Sequence, residues 1–179
     1  MDSEEIRIRS LYLYVACSYA AVKLKEHIFA EMEKLGITSD EARKELVLKE
    51  IGVLFLFWTT RQIWERLVEN EGDAKSLNVA LAKLFHDGFK LPSDERRIRY
   101  AQVSGTVEEI EQFAFTVCDT LERHDAFLLV RLAVIYKHQF KLILQYTEDA
   151  VALSVSNIKE CVDEMARRDK KMPFEGGVG

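Results

Sequence analysis

Residues 45–67 read ELVLKEIGVLFLFWTTRQIWERL. From Ile51 to Trp58 no side chain carries a charge. At about 100° per residue, those side chains point in every direction around a helix axis. A helix that meets water on one side is apolar on one stripe only. This segment is therefore either enclosed by other helices or covered on one side by a second copy of the chain. In both cases it is the centre of an all-α architecture.

Working outward, the flanking sequence is helical as well. Only two prolines and eight glycines occur, which favours long uninterrupted helices. Upstream, a helix is expected from Glu4 to Leu35, with Ser3 as its cap and Ile8, Tyr12, Val15, Tyr19, Val22 and Phe29 on its apolar face. Gly36 is its stop, in the left-handed conformation. Thr38-Ser39-Asp40-Glu41 reads as a capping box with Thr38 as the cap, opening the central helix, which runs to about Glu69. The short Gly36–Ile37 join makes these two helices antiparallel neighbours.

Downstream, Asp73 is the expected cap of a helix from Ala74 to Phe85, and Gly88 with Leu91-Pro92 breaks the chain. A short helix follows over Asp94–Val103. Thr106-Val107-Glu108-Glu109 is a second capping box, opening a helix to about Arg123 with Ile110, Phe113, Val117 and Leu121 facing inward. The last helical stretch runs from Ala126 to about Arg168, with a break expected at Thr147 or within Ser154–Asn157. The fold expected is thus an antiparallel helical bundle of five to seven helices, two or more of them long. Residues 1–172 form one helical domain and residues 173–179 a flexible C-terminal tail.

Composition bounds the function. Apolar residues make up 48% and charged residues 31%, a globular balance and not a disordered one. The net charge of −5 disfavours nucleic acid, because phosphate neutralisation dominates that affinity. The basic groups Arg96-Arg97-Ile98-Arg99 and Arg167-Arg168 with Lys170-Lys171 are short and have acidic neighbours. Asp2, Glu4 and Glu5 stand where a secretory signal needs positive charge, so a soluble, cytoplasmic protein is expected. Ala126–Leu144 has the length of a membrane span but contains Arg131, Lys137, His138 and Lys141, each costing about 2.5–3.5 kcal/mol inside a bilayer. Cys17, Cys118 and Cys161 are far apart and form no C-x-x-C pair, which reads as three free, buried thiols.

No metal or cofactor motif is present. Neither Glu-x-x-His nor His-Glu-x-x-His occurs, and the sequence holds no phosphate loop and no Gly-x-Ser-x-Gly elbow. Two constellations remain. Arg131 and His138 lie seven residues apart, hence on one side of a helix. Their arginine-six-residues-histidine spacing resembles the motif of the HEPN superfamily of helical ribonucleases and toxins. The resemblance covers these two residues and implies a dimer cleft in which the histidine does acid–base work on RNA. The plainer reading puts Arg131, Lys137, His138, Lys141, Gln145, Glu148 and Asp149 on a solvent-facing stripe, and we favour it. The second constellation is a pocket for a small molecule near Trp58 and Arg61, with Trp64 as a further wall. Against it stands emergence of the helix into solvent at Arg61, with Glu65 as the local partner.

The leading functional expectation is a non-enzymatic intracellular protein that works through protein–protein contacts and self-associates as a dimer. A HEPN-like ribonuclease and a small-molecule sensor are the alternatives.

Overall fold

The computed structural model describes residues 1–91, 106–122 and 126–171. Among them are six helices and no strand: α1 (Ser3–Lys34), α2 (Glu41–Arg66), α3 (Glu71–Phe89), α4 (Thr106–Thr120), α5 (Ala126–Ser156) and α6 (Ile158–Lys171). The all-α class read from the sequence is the one observed. The short helix expected over Asp94–Val103 and the tail after 172 fall outside the described residues.

Helix α2 is enclosed. It packs against α1, α3, α4 and α5, and Ile51, Val53, Leu54, Phe55, Leu56, Trp58 and Ile63 are all buried. The chain itself supplies the cover that a second copy was expected to help provide. The premise for a dimer built on this block is gone.

The pairing is antiparallel, as expected. Cys17 Sγ of α1 meets Thr59 Oγ1 of α2 at 3.5 Å, and near the opposite end Lys44 Nζ lies 5.8 Å from the Phe29 ring. The join works as read at Gly36, whose φ is +72°. Gly36 N–H donates to the Glu33 carbonyl and Ile37 N–H to the Met32 carbonyl, which is a Schellman closure of α1.

Three caps differ from expectation. Asp2, not Ser3, caps α1: its carboxylate accepts from Glu4 and Glu5 N–H, and the Glu5 side chain accepts from Asp2 N–H at 3.1 Å. The reciprocal box needs a carboxylate three residues on, and Asp2 has Glu5 there where Ser3 has Ile6. Asp40, not Thr38, caps α2 by accepting from Arg43 N–H at 2.8 Å. Aspartate is the stronger cap, and residues 37–40 are left as connection. Asn70, not Asp73, caps α3, which consequently begins a turn earlier.

Helix α3 also runs a turn further than read, through Gly88 to Phe89. Gly88 is retained because Tyr14 lies over it, where a Cβ would collide with the Tyr14 ring. Tyr14 stands edge-on to Phe85 and Phe89 at 5.6 and 6.1 Å.

The apolar face of α1 is rotated from the one expected. Tyr12 and Phe29 are buried, but Tyr19 and Val22 are exposed. The inner face carries Leu13, Ala16, Cys17, Ala21, Leu24, Ile28 and Met32. Its small residues let α1 approach several partners closely; α2, α3, α5 and α6 all pack on it.

The last helical stretch breaks at Asn157, within the window expected. Asn157 Oδ1 accepts from Glu160 N–H at 3.2 Å and so caps α6. Thr147 does not interrupt α5; its hydroxyl donates to the Ile143 carbonyl inside a continuous helix.

Candidate functional site

Of the residues singled out from the sequence, Trp58, Arg61 and Trp64 are not gathered into one site. Trp58 is buried against Phe55, with ring centroids 6.2 Å apart. Arg61 is exposed, with Nε 3.3 Å from Glu65, and Trp64 is exposed as well. The helix emerges into solvent here: the indole of Trp58 belongs to the core, while Arg61 and Trp64 belong to the surface. Arg131 and His138 both lie on α5, but their side chains are outside those described. Of the stripe expected around them, Lys137, Gln145, Glu148 and Asp149 are exposed. The three cysteines are free and buried, as read. Among the described residues no cluster of three or more His, Cys, Asp or Glu is placed to hold a metal ion. No described helix is long and apolar enough to cross a membrane.

One buried polar cluster was missed. Arg9 lies on the inner face of α1 at 7% exposure. Its Nη1 donates to the Ser154 carbonyl in the last turn of α5, and its Nη2 lies 3.5 Å from the Glu5 carboxylate. Ser154 Oγ returns a contact to the Arg9 carbonyl at 3.5 Å. The last carbonyls of a helix lack helical donors, so this guanidinium closes the α5 terminus where α6 turns away. Cys161 sits beside it, and burial pushes its thiol above the usual range while the Arg9 charge pulls it back. The signal for Arg9 was present: it lies four and eight residues before Leu13 and Cys17, in line with the buried stripe.

A concave apolar surface lies elsewhere, between α4 and α5. Helix α4 packs on α2 and α5, burying Phe113, Ala114, Val117 and Leu121. Its other face carries Glu108, Glu111, Phe115 and Asp119, all exposed and spaced three and four residues apart. They form one stripe along the helix. On α5 Val134 is 59% exposed, and one turn before it Val130, 60% exposed, stands across from Phe115 on α4, 54% exposed. A groove of about 540 Å³ runs between them, lined by Glu108, Glu111, Gln112, Ala114, Phe115, Val130 and Ala133. Glu122 is paired with Arg43 at 2.8 Å; among the described residues Glu108, Glu111 and Asp119 have no ion-pair partner. Sequence reading found the inward face of α4 but gave its outward face no role.

This groove holds no nucleophile–base pair among its described side chains. What it offers is apolar area framed by carboxylates, which is chemistry for binding. Comparisons with protein families, with curated proteins and with solved structures find no match for this chain.

Proposed function

We propose that this protein works by protein–protein contact through its α4–α5 face and not by catalysis. The observation that supports this is the pair Phe115 and Val130, large apolar side chains more than half exposed on the walls of one groove, with exposed Val134 one turn further along α5. Exposed apolar side chains scattered singly are ordinary, but grouped around a concavity they mark contact sites. Fully burying one such side chain stabilises a complex by about 1.5–3 kcal/mol. The half already covered in the free chain reduces that gain in proportion.

The partner is a second copy of the chain or another protein. Self-association was expected from the α2 block, and that block is covered within the chain.

The test places a photo-crosslinking amino acid at position 115 in the producing cell, with exposed Val79 on α3, which does not line that groove, as the control. A protein crosslinked from 115 and not from 79 is expected. Its purified form should bind the chain, and Phe115→Ser should weaken that binding. Equal labelling from both positions, or none from 115, overturns the proposal.

A further inference from the structure

Resting on that reading of the α4–α5 face, we infer the chemistry of what it binds: a cationic amphipathic helix of another protein. Three observations on the groove carry this.

The first is charge. Glu108, Glu111 and Asp119 flank Phe115 along the exposed stripe of α4 and have no ion-pair partner among the described residues. A partner that covers Phe115 brings its own side chains against these carboxylates. Lysine or arginine there gains attraction; aspartate or glutamate incurs repulsion.

The second is that a second copy meets this face badly. Two α4 helices crossing antiparallel at Phe115 set Glu111 against the other copy's Asp119. Crossing parallel, each carboxylate meets its own image. Either register places acid on acid at the centre of the contact, so the charge pattern selects a different chain.

The third is shape. The stripe from Glu108 to Asp119 spans eleven residues of rise, about 16.5 Å, and α4 and α5 wall the groove beside its first half. An occupant with apolar side chains at every third or fourth position follows such a groove in register, which is the helix-in-groove mode of recognition. Its apolar side chains seat on Phe115, Val130 and Ala133. Its cations stand on the α4 side.

The test titrates the full chain into a fluorescein-labelled peptide of about 18 residues, five helical turns, with leucines at helical spacing flanked by lysines. Matched peptides carry glutamate or glutamine in place of lysine. Two charge-reversed chains are compared: Glu108→Lys with Glu111→Lys on α4, and Glu160→Lys with Asp163→Lys at exposed positions of α6. The lysine peptide is expected to bind the unaltered chain and to weaken about tenfold on the α4 reversal, but by about twofold or less on the α6 reversal. The glutamate peptide is expected to bind the α4-reversed chain more tightly than the unaltered one, a gain that misfolding does not produce.

Equal loss with both reversals shows general charge attraction and overturns the cationic-helix proposal. A glutamine peptide that binds as tightly as the lysine peptide, and weakens with Phe115→Ser, also overturns it while leaving the face as an interaction surface. If no peptide binds and the crosslinking at 115 also fails, both fall together. A dimer in sedimentation that Phe115→Ser dissolves seats a second copy in the groove and excludes the cationic helix.

Discussion

Replacing Arg9 with methionine is expected to destabilise the fold by about 1.5–3 kcal/mol, the contribution of a hydrogen bond to a charged group. The guanidinium is buried and donates to the Ser154 carbonyl in the last turn of α5, with Glu5 3.5 Å away. Methionine preserves most of the apolar stem, so packing changes little. Two effects then oppose each other. The Ser154 carbonyl loses its donor in a buried place, which costs about 1–3 kcal/mol. Against this, the cost of desolvating the guanidinium is recovered, and Arg9 Nε has no hydrogen-bond partner to offset its share. Removing buried charges is sometimes neutral for that reason. Here the balance favours loss, because the orphaned carbonyl stays buried while Glu5, 35% exposed, gains little from losing its partner. Urea unfolding followed by helical circular dichroism measures the change, with the slope preserved and the midpoint lowered. Hydrogen exchange should place the faster opening in α6 and the end of α5. An Arg9→Met chain as stable as the parent, or more stable, would refute the assignment of Arg9 as the closure of that corner.

Three further outcomes follow from the packing. Gly52→Ala puts a Cβ 2.9 Å from the Phe89 ring and 3.2 Å from Leu91; helix propensity gains about 1 kcal/mol, overpacking costs about 1–3 kcal/mol, and urea melts should show a net loss, whereas Gly72→Ala, whose nearest neighbour is 4.0 Å away, should gain. Asn157→Ala removes the acceptor for Glu160 N–H and should cost about 1 kcal/mol, with exchange protection falling in the first turn of α6. Cys161 has its thiol raised by burial from the ordinary 9.0. The folded chain therefore holds that proton to higher pH than the unfolded chain, and its stabilising contribution is complete below the ordinary thiol value and lost as pH climbs through the raised one. Urea midpoints above pH 9 should fall more steeply for the parent than for Cys161→Ala; equal slopes would remove Cys161 from the account.

What was legible in the sequence was what a single segment specifies by itself. The uncharged run from Ile51 to Trp58 required enclosure, and Gly36 required a left-handed stop. The stretch around Asn157 favoured a break because asparagine competes for backbone hydrogen bonds. Caps were legible to within a few residues: Asp2, Asp40 and Asn70 won over Ser3, Thr38 and Asp73 through the reach of particular side chains to particular N–H groups. What was not legible depended on neighbours. The face of α1 was misplaced because tyrosines at helical spacing outweighed Ala16, Cys17 and Ala21, whose value lies in how closely another helix approaches. Arg9 stood in line with the buried stripe, but its partner, a backbone carbonyl 145 residues away, is encoded by no local pattern.

The same dependence on neighbours explains why the apolar excess of α2 pointed to a dimer when the chain itself could absorb it. A helix apolar all round states how much of its surface must be covered; it says nothing about whose surface does the covering. Around α2 the arcs are filled by α1, α3, α4 and α5, so its uncharged run from Ile51 to Leu56 is buried within the chain. Helix α4, packed on α2 and α5, keeps an open arc, and its sequence reads as ordinary amphipathic helix. An interaction face on such a helix is visible as a single aromatic, Phe115, at a position where the helical period calls for a charge. Serine at 115 would complete the polar stripe at little cost to the fold. Phenylalanine there, between carboxylates and across from Val130, leaves apolar surface in water that the proposed partner would cover. That is the residue on which the proposed contact stands, and the crosslink at 115 is its most direct test.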